Sequence, residues 1–311
     1  MMSFIIKTNG KEFDISQLIS RVTFRDLLND GCSKLEFSFV NNGLNFTNGS
    51  VVSFIYDSIN IFYGYIFTVT KLKGNEITCI AYDQLRYCKA RDTITISDDT
   101  AATLASKMCN YFNLKKGTIS DTRYKLATDI MEDDTWLDII YSAIDETKKN
   151  MNKKYMLRDE FGQICLRDID DLQMNLVLGD KSLVYDFNYS KSIDSDFYNQ
   201  IKIGLNNDYS SNQNIIKGSS ESISKYGLLQ LYEPMYNANV SQARSQAETL
   251  LEQYNKESET LTLSCLGDPR VRAGSSFYGR LKDIAYDKRL IVRSVTHDFV
   301  PVHTMEVEAM L

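Results

Sequence analysis

His297 and His303 are the only histidines of the chain, six residues apart, with Asp298 beside the first. Two imidazoles next to a carboxylate could bind a metal or relay a proton. Pro301 between them predicts a turn that brings the rings to the tip of a hairpin or opposes them across its strands. A structural zinc needs more ligands than this pair supplies. No G-x-S-x-G elbow accompanies them, so a serine triad has no nucleophile in place. A structural or hydrogen-bonding role is the expected one.

Acidic residues form two dense groups: Asp129 with Glu132, Asp133 and Asp134, and Asp168 with Asp170 and Asp171. An acid pair could serve a glycosidase, but such pairs come from distant segments and density does not identify them. The first group is expected to open a helix, where acids complement the dipole. The second is expected to be a solvated turn, because it lacks the later glycine and glutamate of a calcium loop. Neither a Walker loop nor G-x-G-x-x-G occurs. Cys32, Cys79, Cys88, Cys109, Cys165 and Cys265 are scattered without a C-x-x-C pair, as expected of reduced, mostly buried thiols. Arg270, Arg272, Arg280 and Arg289 could pair with acidic loops of a neighbouring subunit or lie solvated. No catalytic, cofactor-binding or metal-ligating residue is therefore assigned, and no cofactor is expected.

Composition narrows the class further. At 311 residues, with 43% hydrophobic and 24% charged residues, the chain suits two or three soluble domains. The 19 tyrosines and 15 phenylalanines favour strands and fit interfaces. The net charge of −6 without a basic block argues against nucleic-acid binding. Met1–Lys7 does not read as a signal peptide, and no apolar run approaches the ~20 residues of a membrane span.

The elements that must position these residues follow from periodicity. Strand patterns cover Phe4–Lys7, Ile19–Phe24, Lys34–Val40, Val51–Tyr56, Ile59–Leu72 and Glu76–Tyr82, separated by turn signals such as Asn9-Gly10 and Asn48-Gly49. Phe62–Phe67 is apolar on both faces and should be covered on both. A helix capped by Ser97 or Asp98 carries Ala101, Leu104, Met108 and Phe112 on one face. A second opens at Asp133 or Asp134 with Trp136, Ile139, Ile140, Ala143 and Ile144 inward. Lys154–Arg158 and Ile164–Asp168 form a hairpin. Strands return at Leu183–Tyr189, Asn199–Leu205 and Ile215–Gly218, with a surface loop from Asn206 to Asn214. A helix over about Val240–Lys256 is expected to pack on the barrel that follows. Thr260–Cys265, Ser276–Leu281, Arg289–Thr296 and Thr304–Met310 complete the strands. A faint echo links the two ends. Gly49 precedes Val69-Thr70 by 20 residues, and Gly274 precedes Val295-Thr296 by 21, each ahead of a turn and a last strand. Two related barrels would produce it; so would chance likeness between hairpins.

In order, Tyr82-Asp83-Gln84-Leu85-Arg86-Tyr87, Glu132–Ile140, Tyr155–Gly162, Lys191-Ser192-Ile193, Tyr226–Gln230, Leu266-Gly267-Asp268-Pro269-Arg270-Val271-Arg272-Ala273-Gly274 and His303-Thr304-Met305 run through the whole chain. Together they resemble the contractile-tail hub (baseplate hub) family typified by XkdQ-like proteins of phages, prophages and phage-tail-like bacteriocins. The likeness extends more distantly to the hubs of type VI and extracellular injection systems. It implies an α+β, mainly β fold with two tube-like β barrels. The first would span residues 1–96, followed by a helical insertion over 97–152 and a β-hairpin insertion over 153–186. The second would span 187–311, with a helix at about 240–256. It also implies a non-enzymatic homotrimer whose six barrels adapt a hexameric tail tube to a three-fold central spike among other baseplate proteins. Such a protein is made in the bacterial cytoplasm and ends in the tail of the particle. The longer relatives' hydrolase or peptidoglycan-binding segment has no counterpart, which leaves lytic activity unsupported. A cell-wall hydrolase using an acidic pair among Asp129, Glu132 and Asp133, and a monomeric β-rich binding module, are the alternatives.

Overall fold

Inward-facing aromatic and branched residues at every second position dictate most of the first strands. These are β1 (Met2–Thr8), β2 (Lys11–Asp14), β3 (Ile19–Leu27), β4 (Lys34–Val40), β5 (Val51–Tyr56), β6 (Ile59–Lys71) and β7 (Glu76–Tyr82). The exposed β2 forms instead by pairing with β1. In β4, Leu35, Phe37 and Phe39 are fully buried, and they meet Phe4, Phe24, Phe54 and Phe62 in one core. Fully burying each such side chain stabilises by ~1.5–3 kcal/mol. The computed structural model describes all residues except 42, 72, 195, 207–212, 237 and 311. The loop expected over 206–214 falls mostly among the latter.

A short 3-10 helix (Gln84–Lys89) leads to β8 (Arg91–Ile96), α1 (Ala101–Tyr111), β9 (Lys116–Ile119), β10 (Asp129–Thr135) and α2 (Trp136–Met151). The apolar faces read from the sequence are buried, but the caps differ. Thr100 caps α1 in a reciprocal box with Thr103, and Thr135 caps α2. A threonine hydroxyl one residue before the helix can reach the orphan amide three residues on. Asp133 and Asp134 sit too early for that and instead lie in β10, which pairs with β8. Next come β11 (Tyr155–Asp159), β12 (Ile164–Asp168), a 3-10 turn (Ile169–Leu172), β13 (Gln173–Gly179) and β14 (Val184–Ser192). The hairpin β11–β12 forms as expected, whereas β13 joins the large sheet described below.

The remaining elements are β15 (Gln200–Asn206), β16 (Gln213–Gly218), α3 (Ser220–Tyr226), β17 (Gln230–Tyr236), α4 (Val240–Tyr254), β18 (Ser258–Leu266), β19 (Ser276–Leu281), β20 (Tyr286–Asp298) and β21 (Thr304–Met310). The chain divides into two compact units, one of residues 1–188 with 262–311 and one of residues 189–261. In the smaller unit, α4 buries Ala243, Ala247 and Leu250 against Ile201, Ile203 and Leu205 of β15. The helix therefore packs on its own three-stranded sheet, β16-β15-β17, rather than on a barrel. The apolar stripe foretold a partner face without telling which. Among the described residues no helix is long and apolar enough to cross a membrane.

The large sheet runs β14-β18-β21-β20-β3-β4-β7-β6-β5-β1-β2, with β19 beside β20 and β13 beside β19. The fold is mainly β, in the α+β class. Within this sheet one arrangement occurs twice. β5, β6 and β7 have 6, 13 and 7 residues, and so do β19, β20 and β21. The pairing of β6 with β7 slips between Ile66 and Thr68, and that of β20 with β21 slips between Val292 and Ser294. Gly49 and Gly274, at φ +85° and +78°, turn the chain into each triplet. Only glycine holds that backbone without strain. The echo in the sequence thus corresponds to a repeated strand arrangement. The two copies are joined inside the chain where β20 pairs with β3, Ser294 opposite Leu27 through Asp298 opposite Thr23.

Candidate functional site

The join between β3 and β20 is where the titratable groups collect. In β3 the inward positions read Val22, Phe24, Asp26, so alternation drives a carboxylate into the core. Its Oδ2 accepts from Arg272 Nε at 2.8 Å and from the Ala273 amide at 3.2 Å. Its Oδ1 accepts from Ser33 Oγ at 2.8 Å. Burial alone would raise the Asp26 carboxyl, but the Arg272 charge and these bonds outweigh it and hold it below the usual range. Arg272 Nη1 also donates to the Asp159 carbonyl at 3.0 Å, and its guanidinium lies 5.6 Å from the Phe24 ring centre.

Two more acids complete the cluster. Asp83 accepts from the Ser33 and Leu85 amides at 2.8 and 3.0 Å. Asp159 accepts from Gln84 Nε2 at 3.1 Å and from the Gly162 amide at 2.5 Å. Burial pushes Asp83 well up, and the Asp159 charge adds to it. Burial raises Asp159 as well, against its hydrogen bonds. These three acids belong to β3, the end of β7 and the β11–β12 turn, and Arg272 ties them to the segment before β19. Each carboxyl is buried and partnered, which suits a rigid joint and not a site open to substrate.

The histidines extend the same joint. His297 Nε2 lies 2.8 Å from the Val271 carbonyl, so that nitrogen carries the proton. Its Nδ1 then accepts from His303 Nε2 at 3.0 Å. Burial lowers His297 to about 4, offset in part by the Val271 bond, and burial lowers His303 too. The His303 ring stacks on Phe299 at 4.3 Å and meets Tyr56 edge-on. Gly267 is required beside it, because a Cβ there would come within 2.2 Å of the ring. The two rings are indeed opposed near a turn. Asp298 points away from them and accepts from Thr23 Oγ1 at 2.6 Å.

The other candidates are dispersed. Asp129, Glu132, Asp133 and Asp134 lie along the exposed strand β10, with Asp133 paired to Arg91 at 2.8 Å. Asp168 caps the following 3-10 turn and accepts from Lys153 Nζ at 2.8 Å; Asp170 lies 3.8 Å from Arg289. All six cysteines are free, five of them buried. Burial raises their thiols, to about 11 for Cys32, Cys109 and Cys165 and about 12 for Cys79 and Cys265. Protonated thiols are poor nucleophiles. Among the described residues no group of three or more metal-ligating side chains converges. The arginines all have partners within the chain: Arg270 with Asp268, Arg272 with Asp26, Arg280 with Asp287, and Arg289 with Ser276 and Asp170. For Arg272 the pairing is buried, which corrects the expectation of a solvated or intersubunit role.

Sequence reading overlooked Asp26, Asp83 and Asp159 as a group. The available signal was the Val22-x-Phe24-x-Asp26 alternation, since a charge at an inward position demands a partner. The partner lies 246 residues away, beyond the reach of any local pattern.

This arrangement of sheets is the fold of tail proteins of known structure. The prophage MuSo2 43 kDa tail protein from Shewanella oneidensis matches with a TM-score of 0.73 at 11% identity, covering 99% of this chain and 98% of that one. The tail protein from Neisseria meningitidis MC58 matches at 0.67 and 13% identity, covering 99% and 96%. The YQBQ-like family model matches residues 22–310, and the chain belongs to that family. The chain is also 26% identical over 270 residues to the uncharacterized protein YqbQ of Bacillus subtilis strain 168, covering 85% of this chain and 82% of the relative. It is 26% identical over 269 residues to the phage-like element PBSX protein XkdQ of the same strain, with the same shares.

Proposed function

We propose that the protein is a structural component of a contractile tail, the hub that joins a six-fold tail tube to a three-fold spike. The repeated strand arrangement carries this reading. A chain holding two equivalent copies of one arrangement presents six equivalent surfaces when three chains assemble, and a ring of that kind matches both symmetries. Membership in the YQBQ-like family, the relative XkdQ and the shared fold with phage tail proteins support it. On this reading the copies form two tube-like barrels within residues 1–96 and 187–311, the second interrupted in sequence by the separate β15–α4 sheet, with insertions over 97–152 and 153–186. The role is geometric: the buried Asp26–Arg272 joint keeps the two copies in fixed register while load passes along the tail. No chemistry is assigned, and the acids of β10 act as a solvated face.

Light scattering on the purified protein tests the assembly. The expected mass is three times 35.6 kDa, little changed by high salt, because an apolar interface is not screened. A monomer that stays monomeric with added tube protein would overturn the ring. Incubation with peptidoglycan should release no soluble fragments, and release abolished by Asp133→Asn would overturn the non-enzymatic reading.

A further inference from the structure

The two copies of the strand arrangement are not equally satisfied. One side of β20 has two partners: residues 286–291 face β19 and residues 294–298 face β3. On β6 the equivalent first stretch faces β5. Its second stretch, Thr68–Lys71, has β7 on one side, and among the described residues no strand pairs with it on the other. The position that β3 fills against β20 is open against β6.

The strand equivalent to β3 can be identified by register. β3 and β14 each have nine residues, and each precedes the strand that lies beside β7 or β21. Arg25 stands opposite Lys34, and the corresponding Ser190 and Thr260 share a hydroxyl hydrogen bond of 2.8 Å. With that alignment Leu35, Phe37 and Phe39 correspond to Leu261, Leu263 and Cys265, and all six are fully buried. β14 ends the sheet, with β18 as its only neighbour among the described residues.

Burial marks both open edges. Val22, Phe24, Asp26, Val295 and His297, where β3 meets β20, are each at most 2% exposed. Their counterparts Phe187, Tyr189 and Val69 are half-buried, and Lys191 and Lys71 are exposed. The same positions are sealed where the join is made within the chain and unsealed where it is not.

We propose that β14 of one copy pairs antiparallel with the Thr68–Lys71 stretch of β6 in a second copy, reproducing between chains the β3–β20 join made within one. The register follows from the internal join: Thr68 opposite Ser192, Thr70 opposite Ser190 and Lys71 opposite Tyr189. An open strand edge is a template for another chain. Because the two edges differ, the contact is head-to-tail and must close into a ring or run on as a filament. Closure at three copies rests on the tail-hub reading; the pairing itself does not.

Cysteine cross-linking tests it. Directly opposed antiparallel residues have Cα atoms ~4.5–5.5 Å apart, inside the ~4.4–6.8 Å range of disulfides. The full chain carrying both Thr70→Cys and Ser190→Cys should form, under mild oxidation, reducible bands at two and three chain masses and none beyond. Each single substitution should remain at one chain mass. Thr70→Cys with Asp186→Cys, four residues out of register, should cross-link little. A trimer by light scattering in which the matched pair fails to link would overturn the pairing and leave the trimer standing. A protein that stays monomeric and unlinked with added tube protein would overturn both. A ladder extending past three would uphold the pairing and overturn three-fold closure. Equal yields from matched and mismatched pairs would overturn the register.

Discussion

The N-terminal and C-terminal copies of the strand arrangement share lengths, order and bulge position, yet they fill their interiors differently. The first is packed with phenylalanine: Phe4, Phe24, Phe37, Phe39, Phe54 and Phe62 are buried together. The second buries Leu263, Cys265, Val292, Val295, Val307 and Ala309, with Phe277 its large aromatic. Register and bulge placement, rather than residue identity, are what the copies have in common. A sheet tolerates such exchange when inward volume and alternation are kept. A second difference lies between the paired strands. Six residues connect β3 to β4, whereas the whole β15–α4 unit stands between β14 and β18.

Three experiments bear on that comparison. The largest expected effect is at the join. Asp26→Ala leaves the Arg272 charge buried without its partner, which typically costs ~3–5 kcal/mol. Lys191→Ala, at the equivalent place in β14, removes only a half-exposed ion pair with Glu259 and should cost at most ~1 kcal/mol. Similar losses at both positions would mean that the two copies do not differ at the join in the way described.

Core truncation comes next. Phe37→Ala should cost ~3–5 kcal/mol and its counterpart Leu263→Ala ~2–5 kcal/mol, both with an unchanged denaturant slope. A Leu263→Ala loss below ~1 kcal/mol would show that the second copy is packed loosely and contributes little to the fold.

The smallest effect is a pH dependence confined to one copy. The folded pKa of His297 lies at about 4, below its ordinary value. The unfolded chain therefore binds a proton that the folded chain refuses. Stability is present above about pH 6.5 and is lost as pH falls toward 4. His297→Asn should flatten that part of the curve, while Lys71→Asn, at the equivalent position of β6, should not alter it. Parallel curves for the native chain and His297→Asn, measured by urea unfolding from pH 7 to 4, would contradict the buried neutral imidazole.

Much of this fold was legible residue by residue. Asn48-Gly49 and the alternation of Val51–Tyr56 announced a hairpin, and Trp136, Ile139, Ile140, Ala143 and Ile144 announced the buried face of α2. Those signals are local. The caps were misplaced by one to three residues because several side chains near each helix start could accept a backbone amide. β2, β8, β9, β10, β13 and β17 were missed, as was α3, whose seven residues bury none of their side chains. The half-covered outer face of β6 was misread for a related reason. Tyr63, Tyr65 and Phe67 stack with Phe161, Tyr82 and Tyr87 instead of lying under a full layer. At the site, the sequence suggested that His297 and His303 would meet. It gave no sign of which arginine would answer Asp26.

The pairing of β3 with β20 also sets a schedule. Thr23 bonds to Asp298, 275 residues later in the chain. At ~5–20 residues per second of synthesis, the edge of β3 waits roughly 15–50 s for its partner. During that interval Phe24 and Asp26 lack the strand and the arginine that later cover them. A growing chain thus carries an unfinished strand edge for nearly the whole of its translation. The polar, strongly specified Asp26 position makes that edge a poor match for any strand that cannot bring its own Arg272.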